Sequence, residues 1–300
     1  MSEGSRKVRL LALGSIAVAF AVMGLKFVAW WMTGSVALYS DALESIVNVV
    51  AAFAAFMAIR WAQRPPDAQH PFGHHKAEYL SAVAEGVLIV IAALLILHQA
   101  TNAFLDPAPI EQAWEGMGVN VVASAVNGVW AWLLLRTGRQ ERSPALVADG
   151  QHVMADVVTS VGVLAGLALA VLTGWMVLDP LLAAIVAVNI LWQGWQVVSS
   201  SVQGLMDGAI GGEDLATIQR LIGENATGAL EFHDLKTREA GSVRFAEFHL
   251  IVPAAMSVKA AHDICDRIEA ALKAALPGIA IAIHVEPEHK RKAGGTAIGG

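Results

Sequence analysis

Long apolar runs, broken by short polar stretches, fill the first two-thirds of the chain; after about Asp207 the pattern shortens and becomes more polar. A helix crosses a bilayer with about 20 mostly apolar residues. Six segments meet that length: Leu10 to Met32, Val36 to Trp61, Tyr79 to Phe104, Met117 to Leu135, Ala145 to Leu172 and Val177 to Val198. The short connections between them predict antiparallel neighbours in a membrane α-helical bundle of six transmembrane helices. The remainder reads helix, strand, strand, helix, strand. Asp214 to Ile222 has helical periodicity, and Leu230 to Arg238 and Val243 to Val252 are strands paired across Ala240–Gly241. Ser257 is an N-cap, after which Ala261, Ile264, Ile268 and Leu272 form one helical stripe that stops at Pro277–Gly278. In the last strand Ile279, Ile281, Ile283 and Val285 alternate with other residues. These elements predict a C-terminal α+β domain of open ferredoxin-like (αββαβ) type. The expected organisation is a membrane domain over 1–208, a cytoplasmic domain over 209–288 and a disordered tail over 289–300.

Composition agrees with this division. Hydrophobic residues make up 56% of the chain and charged residues only 15%, where a soluble domain carries about 25%. Lys and Arg lie on one side of the predicted bundle: Arg6, Lys7 and Arg9 before the first span, Arg60, Arg64 and Lys76 between the second and third, and Arg136, Arg139 and Arg142 between the fourth and fifth. The opposite connections, Thr33–Gly34, Asp106 to Glu115 and Gly174 to Asp179, hold none. The positive-inside rule then puts both termini in the cytoplasm of an inner (plasma) membrane protein. Trp30, Trp31, Trp114 and Trp175 suit the outer interfacial belt. No small-residue cleavage site follows the first apolar run, so it reads as a span rather than a signal peptide. A net charge of −6 gives no general attraction to nucleic acid, and a single cysteine, Cys265, rules out an intramolecular disulfide and a cysteine-based metal site.

The informative residues are those that the membrane should reject. A charged side chain at the centre of a span costs about 2.5–3.5 kcal/mol even on the lenient insertion scale. The second span nonetheless carries Asp41, Glu44 and Asn48, and the fifth carries Asp149, His152 and Asp156. Both sets are spaced i, i+3, i+7, which places each on one helix face. The surrounding residues are also alike, Ser40-Asp-Ala-Leu-Glu-Ser-Ile-Val-Asn-Val-Val50 against Ala148-Asp-Gly-Gln-His-Val-Met-Ala-Asp-Val-Val158, a sign of an internal repeat. Facing one another, Glu44, Asn48, His152 and Asp156 offer carboxylate, amide and imidazole donors, a set that suits Zn²⁺. A lone polar residue in a span is more often helix–helix glue, and Asn127 and Asp41 taken alone read that way.

Acid or His, three residues, then acid, in the second and fifth spans, resembles the cation diffusion facilitator family. The loop His70-Pro-Phe-Gly-His-His-Lys-Ala-Glu78 resembles the family's signature after the second helix, and Ser40-Asp-Ala-Leu-Glu44 and Ala145-Leu-Val-Ala-Asp-Gly-Gln-His152 match as well. The resemblance covers nearly the whole chain. It implies a homodimer in membrane lipid that exchanges a divalent metal ion for protons by alternating access, with Glu44, Asn48, His152 and Asp156 as the transport site and Asp41 and Asp149 beside it. Zinc-selective members typically carry Asp-Asp or His-Asp in the second helix. Here a neutral amide stands in one of those places, so Fe²⁺, Cd²⁺, Co²⁺ and Ni²⁺ stay alongside Zn²⁺ as the transported ion. No organic cofactor is implied.

Two further groups are candidates. Asp67, His70 and His74 fall within eight residues on the cytoplasmic side, a spacing that can hold a metal ion or simply form a solvated loop. In similar proteins this loop holds a second ion, and Lys76 resembles a lysine that pairs across the dimer with an Asp after the sixth helix, here Asp207. His75 reads as a bystander. In the tail domain His233, His249, His262, His284 and Glu286 are candidate ligands. His284 and Glu286 share the face opposite the Ile/Val stripe, and His249 lies opposite Phe248, Leu250 and Val252. The family's tail domain binds regulatory metal at such positions; scattered surface histidines are the alternative, and the favoured reading for His98 and His289. A membrane metalloenzyme would need a positioned base and an open coordination position, and no His-Glu-x-x-His pattern occurs. A metal-gated channel and an anchored metal sensor complete the alternatives.

Overall fold

The computed structural model describes residues 3–33, 36–105, 114–173, 175 and 177–298. The side chains of Asp41 and Glu44 lie outside the described residues, as do residues 34–35, 106–113, 174 and 176. The chain forms two compact units, Met1–Val202 and Gln203–Gly300; the expected boundary was 208.

The first unit holds six long helices among the described residues: α1 Glu3–Thr33, α2 Val36–Ala62, α3 Ala77–Leu105, α4 Trp114–Glu141, α5 Pro144–Thr173 and α6 Leu178–Leu205. Stretches of α1, α2, α3 and α6 are long and apolar enough to cross a membrane. Helices α4 and α5 match that length with 28 and 30 residues but carry Asn127 and Asp149, His152 and Asp156 along them. The unit is turned inside out relative to a water-soluble bundle. Phe20, Phe53, Trp132, Trp192 and Trp195 are all more than half exposed, whereas Ser15, Ser45, Asn48, Glu85, Asn127, Asp149 and His152 are buried. Hydrocarbon outside removes the penalty for the first set, and only mutual hydrogen bonding makes the second tolerable.

Local sequence fixes where α5 begins. Ser143 caps it by accepting the Leu146 N–H at 3.3 Å, and Pro144 fills the first helical position, where a missing N–H costs nothing. The Ser143 hydroxyl also donates to Glu78 at the start of α3, tying the loop after α2 to the helix that carries His152. Helices α3 and α6 approach through a reciprocal glycine pair. A Cβ on Gly86 would stand 2.8 Å from Val198, and one on Gly194 would stand 2.9 Å from Val90. Without hydrophobic drive between helices, such close backbone contact is the main source of association in lipid.

The second unit follows the expected order: α7 Gly212–Asn225, β1 Glu231–Ala240, β2 Val243–Val252, α8 Val258–Ala275 and β3 Ile279–Pro287. β1 and β2 are antiparallel, β2 and β3 parallel. The helices cover one face, where Ile218, Ile222, Phe248, Leu250, Ile264, Ile268 and Leu272 are buried together. Each such side chain contributes about 1.5–3 kcal/mol, which gives this unit a core of its own. Ser257 caps α8 by accepting the Ala260 N–H at 3.2 Å, as expected.

The expected disordered tail is corrected as far as residue 298. A short 3₁₀ turn, Glu288–Lys290, leads to β4 Thr296–Ala297, which pairs antiparallel with β1 and completes the sheet order β3-β2-β1-β4. Glu231 provides the physical reason. It accepts the Lys292 N–H at 2.9 Å and the Arg291 Nε–H at 3.2 Å, and Lys292 also pairs with Asp234. The Lys292 N–H, with Arg291 and His233, outweighs the cost of burial and holds the Glu231 carboxyl below its ordinary range. Polar composition reads as disorder only where the charges lack fixed partners.

The glycine pair yields a direct expectation. Gly194→Val forces α6 off the backbone of α3, at a cost of about 1–3 kcal/mol, and should lower the thermal unfolding midpoint in detergent. An unchanged midpoint would show that the two helices part without penalty.

Candidate metal centre

Among the described residues three groups of ligand-type side chains come together, and each follows from a different local device. The first lies between α2 and α5. Asn48 is buried and stands between two residues of α5: its amide nitrogen donates to Asp156, and its carbonyl oxygen lies 2.8 Å from His152 Nε2. His152 is only 5% exposed. The matched helical spacing thus brings Asn48, His152 and Asp156 together as expected; the position of the Glu44 side chain lies outside the described residues. The same atoms that would ligate a cation are hydrogen-bonded to one another. A metal ion entering here must displace both bonds and take the place of the proton that His152 Nε2 donates to the Asn48 carbonyl oxygen.

Asp149 lies one turn back along α5 and is 1% exposed. It accepts the Ser15 hydroxyl at 2.5 Å, and Ser15 accepts the Trp130 indole N–H at 3.1 Å, so α1 and α4 fix its orientation. Ser15, Ser45, Asn48, Asn127 and Asp149 line a small cavity whose space open to a water's centre is about 10 Å³, room for about one water. Ser15 and Trp130 gave no signal in the sequence, because a lone Ser or Trp in a span has no period to reveal it.

The second group is the loop between α2 and α3. Asp67 accepts the N–H groups of Gln69 at 2.9 Å and His70 at 2.7 Å. Gly73, at φ 87°, turns the chain where a side chain would be strained. His70 Nδ1 and His74 Nε2 each stand 3.3 Å from an Asp67 oxygen. The His70 N–H is the chief cause holding the Asp67 carboxyl below its ordinary range, with the Gln69 N–H and the His74 charge adding to it against desolvation. His75 stays outside the cluster, and burial followed by the charge of His74 pushes its imidazole below the ordinary value.

The third group crosses the sheet. His233, His249 and His284 occupy matching register positions on β1, β2 and β3, on the face that the helices leave uncovered. Glu286 reaches all three: 3.4 Å to His233 Nε2, 3.3 Å to His249 Nδ1 and 3.7 Å to His284 Nε2. His233 Nε2 and His249 Nδ1 are buried without a hydrogen-bond partner, an arrangement a metal ion would complete. In a tetrahedral site with bonds of about 2.0–2.1 Å, neighbouring donors sit about 3.3–3.4 Å apart. The distances from His233 and His249 to Glu286, and from His70 and His74 to Asp67, fall in that range, whereas His284 stands 3.7 Å away. Asp234 adjoins His233 and His249 and was missed from sequence. A bulge between His233 and Lys236, with Asp234 at φ 53°, breaks the alternation by which a strand's faces are read. Lys292 is the first cause lowering the Asp234 carboxyl.

Other expected residues stand apart. The His262 side chain is 73% exposed and lies 3.6 Å from Asp266 on its own helix. His98 contacts Asn102 at 3.2 Å, and His289 lies in the exposed 3₁₀ turn. Asp207 pairs with Arg238 at 3.0 Å.

Comparison with known proteins extends over the whole chain. The family described as the cation efflux transmembrane domain matches residues 12–206, and the cation efflux protein cytoplasmic domain matches residues 210–288. The uncharacterized transporter sll1263 of Synechocystis sp. is 44% identical over 283 residues, covering 94% of this chain and 91% of that protein. The cation-efflux pump FieF of Shewanella oneidensis is 33% identical over 280 residues, covering 93% of this chain and 94% of that protein. A solved chain of CzrB in its Zn form is 47% identical and covers 29% of this chain and 98% of that one, with a TM-score of 0.28. The matched transmembrane domain and the apolar helices make this a multi-pass membrane protein. The chain belongs to the cation diffusion facilitator family of cation efflux transporters, and not to a family of enzymes.

Proposed function

We propose that the protein exports a divalent transition-metal cation, Zn²⁺ first among them, in exchange for protons by alternating access in a homodimer. The observation that carries this reading is the meeting of buried Asn48 and His152 with half-buried Asp156 across α2 and α5. Glu44, one turn before Asn48 on α2, is the fourth proposed ligand. Metal and protons compete for these groups because the ligands bind metal only when deprotonated. The reading includes six spans in an inner membrane with both termini in the cytoplasm; the six helices among the described residues and the distribution of Lys and Arg support the spans and their orientation.

Asn48 supplies a neutral oxygen where a carboxylate would add charge, and imidazole suits Zn²⁺, Fe²⁺, Co²⁺ and Ni²⁺ alike. The alternative cargo is therefore Fe²⁺, Cd²⁺, Co²⁺ or Ni²⁺ through the same site. The Asp67–His70–His74 loop is a second site at the cytoplasmic entrance. The His233–His249–His284–Glu286 face of the ferredoxin-like domain holds regulatory metal, and its filling favours one arrangement of the dimer. Lys76 and Asp207 form the proposed ion pair between protomers.

Asp156→Ala should cut metal flux in proteoliposomes by more than about tenfold while membrane insertion and dimerisation persist. Wild-type flux from that variant would remove the transport site from this location.

The sheet-face site is tested separately. The fragment from Gly211 to Ile298 contains its own core and should fold and bind Zn²⁺ at micromolar concentration by calorimetry. His249→Ala should weaken that binding by about tenfold or more. A folded fragment that gives no binding heat and no metal retention on dialysis would contradict the assignment.

A further inference from the structure

Glu85 is a buried acid that neither the matched stripes nor the two cytoplasmic clusters absorb. It lies on α3, inside the stretch Ala77–Leu105 that is apolar enough to span a membrane, and is 1% exposed. One of its oxygens, Oε1, accepts the Ser81 hydroxyl at 2.9 Å. The other, Oε2, is buried with no hydrogen-bond partner. Its helix neighbours Ala82 and Ile89 pack in one buried cluster with Ala148 and Ala155 of α5, so Glu85 faces the helix that carries His152 and Asp156.

An ionised carboxylate in this position would carry a charge with a single neutral hydrogen bond, among Ala, Ile and Val side chains. The neutral acid is the form such surroundings accept. The titratable group that acts on it from α5 is Asp149, whose own hydrogen bond comes from Ser15. The described side chains of α6 include no charged group facing it, and on α2 the described charge is Arg60, in the helix's last turn. On its own helix the nearest acid is Glu78, which Ser143 holds at the other end of two turns.

We propose that Glu85 is a proton-carrying residue of the transport cycle: it holds a proton while the Asn48–His152–Asp156 site is empty and gives it up when a divalent cation enters. Within a low-dielectric interior a double positive charge acts over more than its contact distance, and the cation would offset the charge that Glu85 gains. The carboxyl O–H bond breaks and the proton passes to water on the side to which the site is then open, while the electron pair stays on the carboxylate. Ser81 keeps the carboxylate oriented in both states. The role is one of charge compensation; Glu85 does not ligate the metal. This inference rests on the antiport reading above.

The test uses the full-length protein in detergent, with Zn²⁺ as titrant. Calorimetry in buffers of different ionisation enthalpy counts the protons released per Zn²⁺ bound. Glu85→Gln keeps the size and the Ser81 hydrogen bond of the protonated acid but has no proton to release. Proton release should fall by about one in Glu85→Gln and return in Glu85→Asp, the loop and sheet-face sites contributing equally to all three proteins. The fall should vanish when Asp156→Ala is also present. Should Glu85→Gln not fold, infrared difference spectra of the wild type give the same answer: Zn²⁺ must remove a protonated-carboxyl C=O band. Equal proton counts in wild type and Glu85→Gln, or no loss of that band, overturn the role of Glu85. If the wild type shows those equal counts while still moving Zn²⁺ up a proton gradient, the antiport reading stands and this inference alone falls. A wild type that releases no protons at all removes both.

Discussion

The membrane half of this protein depends on one exchange of hydrogen bonds, between the Asn48 amide on α2 and the His152 and Asp156 side chains on α5. Polar groups in a span are tolerable only when something answers them, and here the answer comes from the facing helix. The Asn48 amide satisfies both partners at once, its nitrogen donating to Asp156 and its oxygen meeting His152. The rest of the unit serves that pairing. Ser143 sets the start of α5 and ties it to Glu78, Ser15 and Trp130 hold Asp149, and the Gly86–Gly194 contact lets α6 lie close against α3.

The loop and sheet-face clusters solve a different problem. Their donors are gathered around a carboxylate, by a turn closed on Asp67 in one case and by strand register about Glu286 in the other. Register is the more rigid device, since three strands must slip together to disperse His233, His249 and His284. The other face of the same sheet carries a dense core, which makes the three histidines part of a stiff platform.

Much of this was legible from periodicity. The long helices, the αββαβ order, the Ser257 cap and the two polar stripes all repeat at a helical or strand interval, and an interval survives in the sequence. What was not legible lacks one. Asp234 enters its cluster through a bulge, residues 291–298 are ordered by the single buried carboxylate of Glu231, and Glu85 stands alone in an apolar run. His262, by contrast, had the right residue type and was placed on the exposed side of α8, a reminder that residue type without a face is weak evidence. Fold and family came from pattern; the fine structure of the sites came from isolated contacts between distant residues.

The central claim is that metal movement and proton movement share one alternating site, and flux in sealed proteoliposomes tests it most directly. With Zn²⁺ equal on both sides and the vesicle interior made acidic, wild-type protein should accumulate Zn²⁺ inside against its gradient, and a protonophore should abolish the accumulation. Zn²⁺ that only equilibrates, at the same rate with and without the pH difference, would contradict the account and mark the protein as a metal-conducting channel.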